Sequence, residues 1–241
     1  MIPSAMVLAA GLGVRMRSLD PMLPKPLVRL GGRALLDLVL DRIEQAGIAD
    51  AVVNVHHKAE QIEAHLARRL RPRITISDER SGLLDTGGGV KRALDCGLLG
   101  RGVFLVHNAD SVWIEAGTPN LGRLFAGWDD TTTDCLMLLA DPRASLGYAG
   151  RGDFEMDGCG LLRRPPPGAG AAFVFAGVSL MHARLLDEAP SGAFSLNLVW
   201  NRALAAHRLR GIVLDGTWMH VGDAAAHAAA EKRLAVAPAS S

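Results

Sequence analysis

Ala5-Met6-Val7-Leu8-Ala9-Ala10-Gly11-Leu12-Gly13-Val14-Arg15-Met16-Arg17 is an apolar, strand-like run that passes straight into a glycine loop, and Lys25-Pro26 follows it. Glycines let a main chain come close to a ligand and turn its N–H groups toward phosphate oxygens. Arg15 offers a bidentate guanidinium and Lys25 a compact point charge. On these residues alone two readings stay open: a grip for a polyphosphate, and a plain strand-to-helix turn with two surface cations. Two familiar phosphate motifs do not fit. A dinucleotide fingerprint needs glycine where Met16 stands and a helix opening inside the motif, which Pro21, Pro24 and Pro26 oppose. A Walker loop needs a terminal Gly-Lys-Ser/Thr, and none follows.

Outward from this stretch, strand and helix patterns alternate. Leu35, Leu38, Val39 and Ile43 at helical spacing predict a helix over 34–46, stopped by Gly47. Strands are expected at 51–55, 74–76, 103–106 and 135–140, with helices at 59–70, 89–96 and 121–126. This βαβαβ order implies an α/β fold, Rossmann-like and doubly wound around a mostly parallel sheet. Ligands of such sheets sit at the carboxyl ends of the strands, where the glycine loop and Asp110 both fall. Beyond residue 141 the chain becomes glycine-rich and more β-like, with a stiff Arg163–Gly168 loop and a strand over 172–180. A helix over 196–206, a strand over 212–214 and an alanine-rich terminal helix over 224–234 follow, and a frayed tail closes the chain. No linker interrupts the 241 residues, so one domain is expected, with an α/β half (1–140) and a glycine-rich, more β-like half carrying the terminal helix (141–241).

Composition narrows the function classes. A net charge of +1 argues against a general nucleic-acid or membrane-surface binder. The apolar runs are strand-sized, and a strand begins almost at once, so neither a transmembrane helix nor a signal peptide is expected. Cys96, Cys135 and Cys159 are scattered without ligand spacing and read as buried small hydrophobes of a reducing, cytoplasmic compartment.

Three constellations carry chemistry. Asp110 ends an apolar strand and is a natural Mg²⁺ ligand, or else caps the next turn. Leu84-Asp85-Thr86-Gly87-Gly88-Gly89 precedes a helix, and its glycines are expected to leave main-chain groups free for a base, ribose or phosphate. In Trp218-Met219-His220-Val221-Gly222-Asp223, either His220 or Asp223 can face a metal, while Asp223 can equally cap the terminal helix. His56 and His57, adjacent on an extended segment, point to opposite faces and do not form a metal pair. No Ser-His-Asp or Cys-His set is evident, so the nucleophile should belong to a second substrate.

These residues resemble a known family. Leu8-Ala9-Ala10-Gly11-Leu12-Gly13-Val14-Arg15-Met16, followed by Pro24-Lys25-Pro26-Leu27, is similar to the signature of sugar-1-phosphate nucleotidylyltransferases. The likeness continues through Gly31-Gly32, residues 84–89, Asn108-Ala109-Asp110 and residues 218–223. It implies a nucleotide-diphospho-sugar transferase fold, a nucleoside triphosphate and a sugar-1-phosphate as substrates, Mg²⁺ as cofactor, and within the single domain a nucleotide-binding half (1–140) and a sugar-binding half (141–241). It assigns catalysis to Arg15, Lys25 and Asp110, nucleotide binding to Ala10, Gly11, Gly13, Thr86, Gly87 and Gly88, and metal contacts to Asp110, His220 and Asp223. Within the family, residues 85–89, 150–154, 175–179 and 192–197 resemble the branch that uses UTP and a muramic acid phosphate in peptidoglycan recycling. Relatives using glucose-, mannose- or heptose-1-phosphate share the core motifs and form the alternative.

The chain departs from the family in two places. His220 stands where the second metal-binding aspartate is usual, with Asp223 in a threonine slot, and Ala109 replaces a glycine. The sugar contacts are expected from Gly150, Arg151, Asp153, Ser179 and Asn197, with Arg151 toward a lactyl carboxylate. The oligomeric state is open.

Overall fold

The computed structural model describes residues 2–16 and 19–236, apart from the side chain of Arg15. In chain order the elements are β1 (Ser4–Leu8), β2 (Arg29–Leu30), β3 (Arg33–Ala34), α1 (Leu35–Gln45), β4 (Asp50–Val55), α2 (Ala59–Leu66), β5 (Arg73–Asp78) and α3 (Asp85–Asp95). Then come β6 (Val103–Asn108), β7 (Ser111–Glu115), α4 (Asn120–Ala126), β8 (Cys135–Ala140), β9 (Glu155–Met156) and β10 (Leu162–Arg163). The chain closes with β11 (Val174–His182), α5 (Asn197–Ala205), β12 (Leu209–Val213), β13 (Gly216–His220) and α6 (Ala224–Val236).

Seven strands form one sheet in the order β12-β8-β11-β6-β1-β4-β5. β1 pairs parallel with β4 on one side and with β6 on the other. The crossovers therefore leave β1 in opposite directions, and a crevice opens at the carboxyl ends of β1 and β6. Only β11 runs antiparallel, inserted between β6 and β8. The sheet is thus mostly parallel, as the alternation implies.

Both faces are covered, which is why β1 lacks polar alternation. Ala5 and Val7 join the core under α1, α2 and α4, and Met6 joins the core under α3 and α5. In α1 the buried residues Leu35, Leu36, Val39, Leu40 and Ile43 fall on one stripe, and Asp37 complements the first turn. Burying each such side chain stabilises by about 1.5–3 kcal/mol. α2 stops at Leu66, short of the expected Leu70, because an arginine-rich turn and Pro72 follow. α6 runs to Val236, past the expected end at Leu234. Residues 237–241 of the expected tail lie outside the described residues.

Two antiparallel ribbons were not evident in the sequence. β2 and β3 form a hairpin around Gly31-Gly32. β7 and β13 pair Ser111 with His220 and Trp113 with Trp218, so the 218–223 motif lies against the Asp110 turn. Of the three cysteines only Cys135 is buried; Cys96 and Cys159 are exposed, which corrects the expectation for both. Among the described residues, no helix is long and apolar enough to cross a membrane.

Candidate functional site

A cavity of about 530 Å³ opens at the carboxyl ends of β1, β4 and β6, a size that suits a small-molecule ligand. Its floor is Leu8, Ala9, Ala10, Gly11 and Gly13, one wall is Asn108, Ala109 and Asp110, and the other is Leu83, Asp85 and Thr86. Lys25 and Pro26 close the near side, and Gly222 reaches the rim.

The glycine loop keeps this floor open for a definite reason. Gly13 has φ +57°, and a Cβ there would lie 2.8 Å from the Cβ of Lys25. The loop and the Lys25–Leu27 3-10 turn therefore touch, and Pro24 and Pro26 fix where that turn begins. Lys25 is directed at Asp110, and its Nζ donates to Oδ2. The lysine is well covered (14% exposed), whereas a third of the aspartate (33%) stays open. The carboxylate can thus meet a ligand without leaving its place. Arg15 lies in the short Val14–Met16 3-10 helix, and its side chain lies outside the described residues.

The turn carrying Asp110 is buttressed from behind. His107 is fully buried and stacks on Trp113 at 5.6 Å, while Arg42 covers Trp113 at 3.7 Å from the ring centre. Burial pushes the His107 imidazole down to about 3, so it is neutral. Its Nδ1 is 2.8 Å from the Asn108 carbonyl, which can only accept, so Nδ1 carries the proton.

The triple glycine behaves differently from expectation. α3 begins at Asp85, so Gly87, Gly88 and Gly89 are helical and buried. The N–H groups of Gly87 and Gly88 both donate to the Phe194 carbonyl, at 2.8 and 3.0 Å. A Cβ on Gly87 would overlap the Phe194 ring, and one on Gly88 would overlap the Gly192 carbonyl. These glycines serve the close packing of α3 against residues 192–194. The expectation that Gly87 and Gly88 offer free groups to a nucleotide is corrected on that ground. Asp85 and Thr86 face the cavity in their place.

Near the rim, Asp223 accepts from Ala226 N at 2.9 Å and so caps α6, the alternative that its position left open. The His220 ring packs on Trp218 and edge-on to Tyr148. Among the described residues, no three His, Cys, Asp or Glu side chains cluster as metal ligands.

A family model, the MobA-like NTP transferase domain, matches residues 5–189. The N-acetylmuramate alpha-1-phosphate uridylyltransferase of Caulobacter vibrioides is 46% identical over 237 residues, covering 97% of each chain. The chain belongs to the sugar-1-phosphate nucleotidyltransferase family. The enzyme of the same name from Neisseria meningitidis serogroup B is 31% identical, covering 90% of this chain and 92% of its own. A solved UDP-glucose pyrophosphorylase complexed with UDP-glucose superposes with a TM-score of 0.80 at 13% identity, covering 98% of this chain and 99% of its own. That last likeness concerns the fold.

As a nucleotidyltransferase of this family, the protein needs a second substrate pocket, and the sequence candidates for it separate. Asp153 Oδ2 accepts from Phe175 N at 2.9 Å, and Asn197 Oδ1 accepts from Arg164. Arg151 donates to the Gly168 carbonyl at 3.0 Å, across to the loop that follows β10. Gly150 sits where a Cβ would overlap the Tyr148 ring. Ser179 is corrected: it is 0% exposed in mid-sheet and out of a substrate's reach. Arg164 was missed. Its guanidinium lies 4.1 Å from the centre of the Phe154 ring, close to Asp153 and Asn197. Its position beside a second arginine and three prolines made it look like part of a surface loop. Asn54, also missed, lines the cavity and accepts from Ala9 N and Ala10 N. The one available signal was a polar residue inside the apolar strand Ala51–Val55.

Proposed function

We propose that this protein transfers the uridylyl group of UTP to N-acetylmuramic acid α-1-phosphate, releasing pyrophosphate. The 46% identity across 97% of both chains to the Caulobacter enzyme of that name carries the reading. The cavity supports it, joining a glycine loop, a lysine and a carboxylate at the switch point of the sheet. The triphosphate then lies along Ala10, Gly11 and Gly13, with Arg15 and Lys25 as its cations, and the base meets Asp85 and Thr86. A phosphate oxygen of the sugar phosphate attacks the α-phosphorus in line, the bond to the β-phosphate breaks, and pyrophosphate leaves. Two anions must meet, so charge neutralisation and positioning supply most of the catalysis. Lys25, released from Asp110 when substrates bind, draws the nucleophilic phosphate inward.

The donor set fits Mg²⁺. Asp110 offers a hard, part-open carboxylate at the cavity, and an ion that keeps water and phosphate ligands needs no larger protein cage. When bound, Mg²⁺ would offset negative charge at the α-phosphate. Asp110 would hold it, with His220 and Asp223 adjacent on the β13 side. Asp153, Asn197, Arg151 and Gly150 would face the sugar, so that a single domain divides its work between residues 1–140 and 141–241. A cytoplasmic role in peptidoglycan recycling follows from that substrate.

The test crosses UTP, dTTP, CTP and GTP with muramate-, glucosamine-, glucose- and mannose-1-phosphates and measures Mg²⁺-dependent pyrophosphate release. The UTP and muramate pair should have the highest kcat/KM. Release with another pair alone would transfer the protein to a neighbouring branch of the family.

A further inference from the structure

Behind the floor of the cavity lies a buried polar unit. Asn54, near the end of β4, is 2% exposed, and its Oδ1 accepts from two successive main-chain N–H groups, Ala9 at 2.6 Å and Ala10 at 3.2 Å. Those two residues link β1 to the glycine loop. On its other side, Asn54 Nδ2 donates to Glu79 Oε1 at 2.8 Å, and Glu79 is 0% exposed just beyond β5. An amide can present either end to a neighbour. Turned over, Asn54 would set its NH₂ group against two N–H donors and its oxygen against a carboxyl oxygen. Glu79 therefore decides which end meets the loop. Gly89 on α3 leaves room for the pair, since a Cβ there would lie 2.7 Å from Glu79 Oε1 and 2.8 Å from Asn54 Nδ2. Burial raises the Glu79 carboxyl above its ordinary range. The chain thus keeps a costly polar group at depth where an apolar one would pack more cheaply.

We propose that Asn54 and Glu79 are positioning residues for the nucleotide: Glu79 orients the Asn54 amide, and Asn54 fixes the main chain where Ala10 and Gly11 meet the triphosphate substrate. This rests on the cavity being the nucleotide site.

The test compares wild type, Asn54→Asp, Glu79→Gln and the double variant, with nucleotide KM, sugar-phosphate KM, kcat and Tm measured for each. Asn54→Asp keeps the acceptor toward Ala9 and Ala10 but loses the donor and sets two carboxyl groups together. It should raise nucleotide KM about tenfold or more, as an unsatisfied buried group does. Glu79→Gln keeps the acceptor toward Asn54 and should stay within about threefold of wild type. The double variant reverses the polarity, with the amide introduced on β5's side donating to the carboxylate introduced on β4, and should recover most of the loss. Sugar-phosphate KM and kcat should change little throughout. Asn54→Ser removes both contacts without adding charge and should raise nucleotide KM too, which keeps the test valid if Asn54→Asp folds poorly. Unchanged nucleotide KM in Asn54→Asp and Asn54→Ser, or no recovery in the double variant, would overturn the relay alone. Wild-type protein that binds no nucleoside triphosphate would overturn the site assignment and the relay with it.

Discussion

Two glycine clusters of similar composition serve opposite ends. Gly11 and Gly13 keep a loop open to the cavity, whereas Gly87, Gly88 and Gly89 are buried in a helix and let Phe194, Gly192, Glu79 and Asn54 come close. A glycine run records only that side chains are unwelcome. Whether a ligand or the protein itself fills the freed space depends on the tertiary neighbours, here Phe194 and Gly192, which are remote in sequence.

The largest effects should come from the charges beside the open cluster. Lys25→Ala or Asp110→Ala should lower kcat/KM by about a hundredfold or more, as loss of one transition-state charge contact does. Thermal melting should show both variants folded. Near wild-type turnover in both would break the comparison at its open end. Gly88→Ala tests the closed end: the Cβ would overlap the Gly192 carbonyl, and overpacking of this kind costs about 1–3 kcal/mol. Denaturant unfolding should show that loss, and unchanged stability would mean that the packing is loose. Gly11→Ala is the counterpart. Nothing lies within 4 Å of a Cβ there, so stability should hold while nucleotide KM rises.

A smaller effect at neutral pH concerns the support behind Asp110. His107 is held neutral down to about 3 in the fold, whereas the unfolded chain takes up the proton near the ordinary histidine value of 6.5. Its contribution to stability is present above about 6.5 and is lost as pH falls toward 3, at about 1.4 kcal/mol per unit. His107→Gln should flatten that part of the pH–stability curve. An identical slope in the variant would assign the acid sensitivity to other groups.

Much of the cavity edge was legible because its signals are local. The run from Ala5 to Leu8, the loop after it, the prolines around Lys25 and Asp110 at a strand end each fix geometry within a few residues. The α/β alternation then places them on one edge. The ribbon of β7 and β13 was not legible, because its pairing spans remote segments and follows no periodic pattern. The surroundings of the residues expected to meet a sugar were read least well for the same reason. Ser179 looked like a polar candidate in a strand but is buried by the insertion of β11 between β6 and β8. Arg164 looked like part of a loop but lies beside Phe154, Asp153 and Asn197. Asp223, with two roles open, caps α6.

The most direct measurement is the structure of the complex with a non-hydrolysable UTP analogue and Mg²⁺. The triphosphate should lie along Ala10, Gly11 and Gly13, with Lys25 released from Asp110, that carboxylate on the ion, and the Gly87 and Gly88 N–H groups still on the Phe194 carbonyl. A nucleotide bound to those two N–H groups, or phosphates away from the loop, would contradict it.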